Sequence, residues 1–133
     1  MQQKTTLIYL LVICFLTFFP SVKSQNLAAY VDYKNAFTVF NAGVKTQLDH
    51  RQVLDYKVGN NLVAYINPQN ELWVYQNGKQ KKIIDWVKNY TITDNILAFG
   101  DNGFLNVYEN GNARLLCSQT GLHGIGDSIV AYN

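Results

Sequence analysis

Apolar and polar positions recur in register along this chain. Asn61–Gly78 holds an apolar run, Leu62-Val63-Ala64-Tyr65-Ile66, then a polar break, a second run, Leu72-Trp73-Val74-Tyr75, and a closing Asn77-Gly78. Neither run alternates with period two, and short unbroken apolar runs describe strands buried on both faces. The first run returns as Leu27-Ala28-Ala29-Tyr30, Ile96-Leu97-Ala98-Phe99 and Ile129-Val130-Ala131-Tyr132. The residues heading the four runs, Asn26, Asn61, Asn95 and Ser128, stand 35, 34 and 33 apart. Self-similarity at a nearly fixed period is the signature of a repeat architecture.

Further columns agree. The second run carries Val39-Phe40, Val74-Tyr75 and Val107-Tyr108, followed three residues on by Gly43, Gly78 and Gly111. Leu48, Ile83 and Leu116 come next, then Tyr56-x-Val58, Tyr90-x-Ile92 and His123-x-Ile125. Each unit therefore reads as four short strands, the last two more polar, as outer strands should be. Asn77-Gly78 and Asn110-Gly111 suit two-residue hairpins whose central positions need positive φ, and Asp101-Asn102-Gly103 supplies a turn between the first two strands of the third copy. No helix signal follows the first two dozen residues. The expected fold is all-β: tandem four-stranded antiparallel meanders, β-propeller-like, because such units must stack to bury two apolar faces. The repeats run 26–60, 61–94 and 95–127, with the start of a fourth at 128–133. Three copies are fewer than the four to eight blades typical of a closed ring, which leaves a partial propeller or a three-sheet β-prism.

The columns resemble those of secreted bacterial tandem-repeat proteins of unknown function, in which Asn-Ile/Leu-Val-Ala-Tyr and Val-Tyr-x-Asn-Gly recur. That resemblance covers Asn26–Asn133, implies a β-meander repeat outside the cytoplasm, and carries no catalytic residue over. A second resemblance is to the monocot mannose-binding lectins, three-sheet β-prisms whose sugar motif is Gln-x-Asp-x-Asn-x-Val-x-Tyr. Asn61, Val63 and Tyr65 match its last three positions, but Lys57 and Gly59 stand in place of the Gln and Asp. Thr91 and Thr93, then Gly124 and Gly126, replace them in the later copies, so the fold carries over more readily than the activity.

The N-terminus has its own pattern. Lys4 precedes the uncharged run Leu7–Phe19, Pro20 ends it, and Val22-Lys23-Ser24 places short residues before a cut ahead of Gln25. Residues 1–24 are therefore expected to be a secretory signal peptide and 25–133 the β-repeat domain, secreted, periplasmic or at the cell surface. The run is short for a membrane span, which takes about 20 apolar residues. Cys14 lacks the small preceding residue of a lipid-modified cysteine, since Ile13 stands there.

Removing residues 1–24 alters the charge. The formal +2 of the chain disappears with Lys4 and Lys23, leaving seven Lys and two Arg against nine acidic residues. A formally neutral domain has no basic stripe for phosphates, which argues against nucleic acid as a partner. Only Cys117 remains, so no internal disulfide is expected and stability rests on apolar packing.

Candidate chemistry is sparse. His50 and His123 fall in different columns, no metal-ligand spacing is visible, and no cofactor is implied. Asp49-His50 suggests a dyad without a nucleophile. Asn60, Asp94 and Asp127 recur before a strand, as Asx turns do. Gly121, Gly124 and Gly126 hint at a phosphate loop, but no helix follows them. Cys117 shares a column with Ile84 and reads as an inert packed thiol. Asn89-Tyr90-Thr91 is a glycosylation sequon. Two columns depart from the repeat, Thr38/Trp73/Asn106 and Arg51/Trp86/Gln119. Departures are where a repeat protein carries specificity, so Trp86 and Trp73 are the candidate ligand contacts, Trp73 also reading as core filler. The expected function is a secreted, non-catalytic binding or scaffolding module for a protein or glycan. The alternatives are a lectin-like β-prism and part of a propeller-type extracellular enzyme.

Overall fold

The computed structural model describes residues 27–118, 123–126 and 129–132. The expected signal peptide, Gly121 and Asp127 lie outside them. Every element among the described residues is a strand: β1 (Leu27–Val31), β2 (Phe37–Asn41), β3 (Val44–Asp49), β4 (Asp55–Val58), β5 (Leu62–Ile66), β6 (Glu71–Gln76), β7 (Lys79–Asp85), β8 (Tyr90–Ile92), β9 (Ile96–Asp101), β10 (Phe104–Glu109), β11 (Asn112–Cys117), β12 (His123–Gly126) and β13 (Ile129–Tyr132). Consecutive strands pair antiparallel into sheets ordered β1-β2-β3, β4-β5-β6-β7, β8-β9-β10-β11 and β12-β13. Gly124 and Gly126 thus belong to a strand and not to a phosphate loop.

The sheets are out of phase with the sequence repeat by one strand. The fourth strand of each copy leaves its own copy and pairs with the first strand of the next, as Tyr56 does with Tyr65 and Tyr90 with Phe99. The strand expected at the outer edge therefore lies at the opposite edge, beside the apolar β5 or β9. The turn after Val58 is short enough for an antiparallel partner to fold back directly, and that proximity decides the pairing.

Local chemistry sets the hairpins. Asn77-Gly78, Asn102-Gly103 and Asn110-Gly111 all have positive φ, 52° and 75°, 47° and 88°, 50° and 86°, as two-residue turns require. The first copy places Ala42 at 47° before Gly43 at 88°, a left-handed conformation that an alanine tolerates poorly. The β1–β2 and β5–β6 connections are longer. In each an Asx side chain, Asp32 or Asn67, accepts the backbone N–H groups two and four residues on.

All three outer hairpins share a bulge. Pairing shifts between Phe37 and Thr38, between Leu72 and Trp73, and between Leu105 and Asn106. The extra residues opposite are Leu48, Ile83 and Leu116, and each packs against a core cluster from an otherwise polar strand. The bulge explains why an apolar column recurs there.

Sheet β4–β7 is buried on both faces. Leu62, Ala64, Leu72 and Val74 pack toward Leu97, Phe99 and Tyr108 of the next sheet. Val63, Tyr65 and Tyr75 pack the other way, against Leu27, Phe37 and Val39. A third cluster, Ile96, Ala98, Leu105 and Val107, continues the series to Val130. Separate cores on the two faces of one sheet are the geometry of stacked blades. A β-prism closes its three sheets around one shared core, so that alternative is set aside.

One edge of the stack is tight. Lys57 of β4 donates from Nζ to the Tyr90 carbonyl at 2.6 Å and lies 4.4 Å from that ring's centre. Asn61 N–H donates to the Asp94 carbonyl at 3.0 Å. A Cβ on Gly59 would overlap the Thr93 carbonyl oxygen and stand 3.0 Å from Asp94 Cα. From the far strand β7, Lys81 reaches the Gly111 carbonyl at 2.8 Å through its long side chain.

Two consequences are measurable by chemical denaturation. Gly59→Ala has only backbone to press against and should lower stability by about 1–3 kcal/mol. Ala42→Asn, which suits the left-handed turn position, should raise it by about 0.5–1 kcal/mol.

Candidate functional site

Trp73 lies between Leu72 and Val74, which face the third sheet, so strand alternation turns it toward the gap between the first two sheets. There an open cleft of about 450 Å³ is lined by Asp49, His50 and Arg51 on one side and by Asn67, Gln69, Glu71 and Trp73 on the other. Trp73 is half-buried: its ring packs against the Phe37–Tyr65 cluster while its Nε1–H donates to Glu71 Oε2 at 3.0 Å. One side of the ring is core, as expected of a filler, and the residue also borders the cleft.

Glu71 is the centre of the cleft's polar network. Besides Trp73 it accepts Asn67 Nδ2 at 2.6 Å and pairs with Lys82 at 2.5 Å. Lys82 also reaches Asp85 at 2.6 Å. These partners, Lys82 first, hold the Glu71 carboxyl down at about 2. Asp85 and then Glu71 raise the Lys82 ammonium in turn. Across the cleft Arg51 donates to Gln69 Oε1 at 2.8 Å and stands 3.5 Å from Asp49. Gln80 closes the floor, donating to the Tyr65 hydroxyl and to the Leu48 carbonyl of the preceding sheet. Burial pushes the Tyr65 phenol well above its ordinary range, so it stays neutral.

The structure does not join the two tryptophans in one pocket. Trp73 and Arg51 line the same cleft, and Arg51 holds the column of Trp86 one copy earlier. Trp86 follows β7, is 75% exposed, and has φ 59° while its N–H donates to the Asn70 carbonyl. A bulky side chain in the left-handed region is a backbone outlier. Thr38, in the Trp73 column of the first copy, is buried with an unpartnered hydroxyl.

Other candidates resolve structurally. His50 Nδ1 lies 3.6 Å from Asp49, with no Ser, Thr or Cys among the residues lining the cleft they share. Among the described residues no three His, Cys, Asp or Glu side chains gather as a metal site. Asp94 does not make the expected Asx turn; its carboxylate crosses to the equivalent residue of the previous copy, accepting Asn60 N–H at 3.1 Å and its side-chain amide. Cys117 is a free thiol, half-buried against the third cluster. The Tyr90 hydroxyl is buried without a well-formed hydrogen bond, and burial, then the facing Asp55 carboxylate, push its phenol far up. The sequon Asn89 is exposed beside β8.

Sequence columns could have flagged Glu71, since its column reads Ala36/Glu71/Phe104. That Arg51 and Trp73, from successive copies, line one cleft had no local signal.

Face-to-face antiparallel four-stranded meanders, each taking its edge strand from the preceding copy, define a β-propeller. The chain belongs to the family described as the 10-bladed beta propeller domain, matched over residues 21–133, a span that includes residues 21–24 of the expected leader. No curated protein matches it. Among solved structures it is similar to the N-terminal domain of Nup159, with a TM-score of 0.49 and 17% identity over 69% of this chain and 28% of that one. It is likewise similar to a chain of an S. cerevisiae assembly of dbp5 bound to nup159, gle1, ip6 and adp, with a TM-score of 0.48 and 17% identity over 68% of this chain and 27% of that one. The chain thus spans little more than a quarter of those structures.

The Glu71 network sets an acid dependence. A carboxyl held at about 2 against an ordinary 4.5 contributes stability that is fully present above 4.5 and lost as pH falls through about 2. Glu71→Gln should flatten the stability profile across that window, read by denaturant unfolding at successive pH values, and leave the profile near neutrality parallel to the parent's.

Proposed function

We propose that this propeller domain is a secreted, non-catalytic binding module. Its contact surface is the end of the sheets where Asp49–Arg51, Asn67–Trp73 and Trp86 lie. Trp86 carries the reading. An indole 75% exposed, held at φ 59°, costs stability on both counts, and strain of this kind concentrates at functional positions. The leader pattern of residues 1–24, uncharged between Lys4 and Lys23, supports secretion. The formal neutrality of residues 25–133 supports a partner other than nucleic acid.

The lining of the cleft favours a glycan as the ligand. Gln47 and Gln69 bring amides, Asp49 a carboxylate, and Trp73 an aromatic edge. Amides and carboxylates arrayed near an aromatic side chain match the hydroxyls and C–H faces of a sugar.

A glycan array probed with the secreted chain tests the site. Trp86→Ala and Trp73→Phe should each weaken the strongest binding by about tenfold or more, the loss of one well-placed contact. Trp86→Gly should weaken it equally while raising stability by about 1 kcal/mol, because glycine accepts the left-handed φ. Unchanged binding in all three variants overturns this placement of the site.

A further inference from the structure

The cleft between the first and second sheets has a counterpart one copy on, between the second and third. The columns that line the first return there with different residues. Ile84 stands in the column of Asp49, Trp86 in that of Arg51, Phe104 in that of Glu71 and Asn106 in that of Trp73. Three charged side chains of the first gap thus become apolar at the second.

These residues belong to one gap by strand geometry. Leu105 and Val107 pack away from the second sheet and Tyr108 packs toward it, so alternation turns Phe104 and Asn106 toward the second sheet as well. Ile84 packs from β7 against the core that the two sheets share. The β9–β10 turn is only Asn102-Gly103, shorter than the Asn67–Asn70 connection whose Gln69 accepts a bond from Arg51. With the shorter turn opposite it, Trp86 is 75% exposed, and Phe104 is 42% exposed. Asp85, Asp101 and Asn106 supply polar groups at the same end of the two sheets, none of them buried. Trp86 also adjoins the first cleft. Its N–H donates to Asn70, in the connection whose Asn67 and Gln69 line that cleft.

We propose that the second gap is a further subsite for the same ligand, which makes that ligand a linear oligosaccharide of several units. The inference rests on the glycan reading above and deepens it. Exposed aromatic rings take the C–H faces of sugars, and carboxylates and amides beside them take the hydroxyls. Stacked sheets stand about 10 Å apart, so neighbouring gaps are further apart than one sugar ring reaches. A chain that enters the polar cleft and crosses the end of the second sheet meets Trp86 on the way and Phe104 beyond it.

Ladders of linear gluco-, manno- and N-acetylglucosamine oligomers, one to six units long, test this by calorimetry with the whole secreted chain. Affinity should climb by about tenfold or more between two and four units and then level off. Phe104→Ala should remove that gain, whereas Phe104→Tyr, which keeps the ring, should retain it. Trp73→Phe leaves Trp86 as the one tryptophan, and its emission should shift with four units but not with a single sugar. This reports on the subsite without altering Phe104. Affinity independent of length, or a length gain that survives Phe104→Ala, overturns the subsite and leaves the glycan reading of the first cleft standing. So does an array positive for other glycans when no ladder binds. A blank array overturns both.

Discussion

Everything in this molecule depends on burying both faces of a sheet that has no polar side to offer water. Leu62, Val63, Ala64 and Tyr65 point alternately to the two faces, and all four are buried. Each fully buried side chain of valine or leucine size contributes about 1.5–3 kcal/mol, and a missing neighbour would uncover every side chain on the face it packs against. One meander alone would leave an apolar face in water and fail to offset the entropy of ordering its strands. The sheet is stable only as a member of a stack, and the period in the sequence is the trace of that requirement.

The one-strand offset between repeat and sheet strengthens the stack. β4 is covalently part of the first copy and hydrogen-bonded into the second sheet. The second copy lends β8 to the third sheet in the same manner. Separating two sheets therefore means stripping a strand from a ladder as well as parting an apolar interface. The tight edge adds a polar seam: Asn60 bonds Asp94, and Asn61 bonds Asn95 one step along the same columns. Glycine at 59 lets those backbones meet.

Much of the fold was legible in the sequence, for a physical reason. Strand burial, the Asn-Gly hairpins and the stacking all follow from side-chain type at short range. What stayed hidden depends on choices between near-equivalent partners. A short polar strand such as Tyr90–Ile92 can close the sheet before it or open the one after it, and periodicity is the same either way. Asp94 can cap its own turn or cross to Asn60, and only the spacing of the sheets decides. Trp86 was legible as an outlier of its column, but not as a residue in the left-handed region. Arg51 and Trp73 line one cleft because adjacent sheets present different columns of the repeat to each other.

That last point locates specificity in the architecture. In a stack each column becomes a line of residues running across sheets, so a column that must pack is constrained at every copy. The bulge recurs at one position in all three hairpins, immediately before Thr38, Trp73 and Asn106. Its extra residue lies on the opposite strand, while the column itself stays paired, as Trp73 does between Tyr65 and Lys82. The column holds a threonine, a tryptophan and an asparagine in turn, Thr38 fully buried and Trp73 and Asn106 half-buried. Each seam then acquires its own chemistry without any change to the blades that form it. The Glu71–Lys82–Trp73 network at the first seam is that freedom put to use, resting on packing that the repeat keeps fixed beneath it.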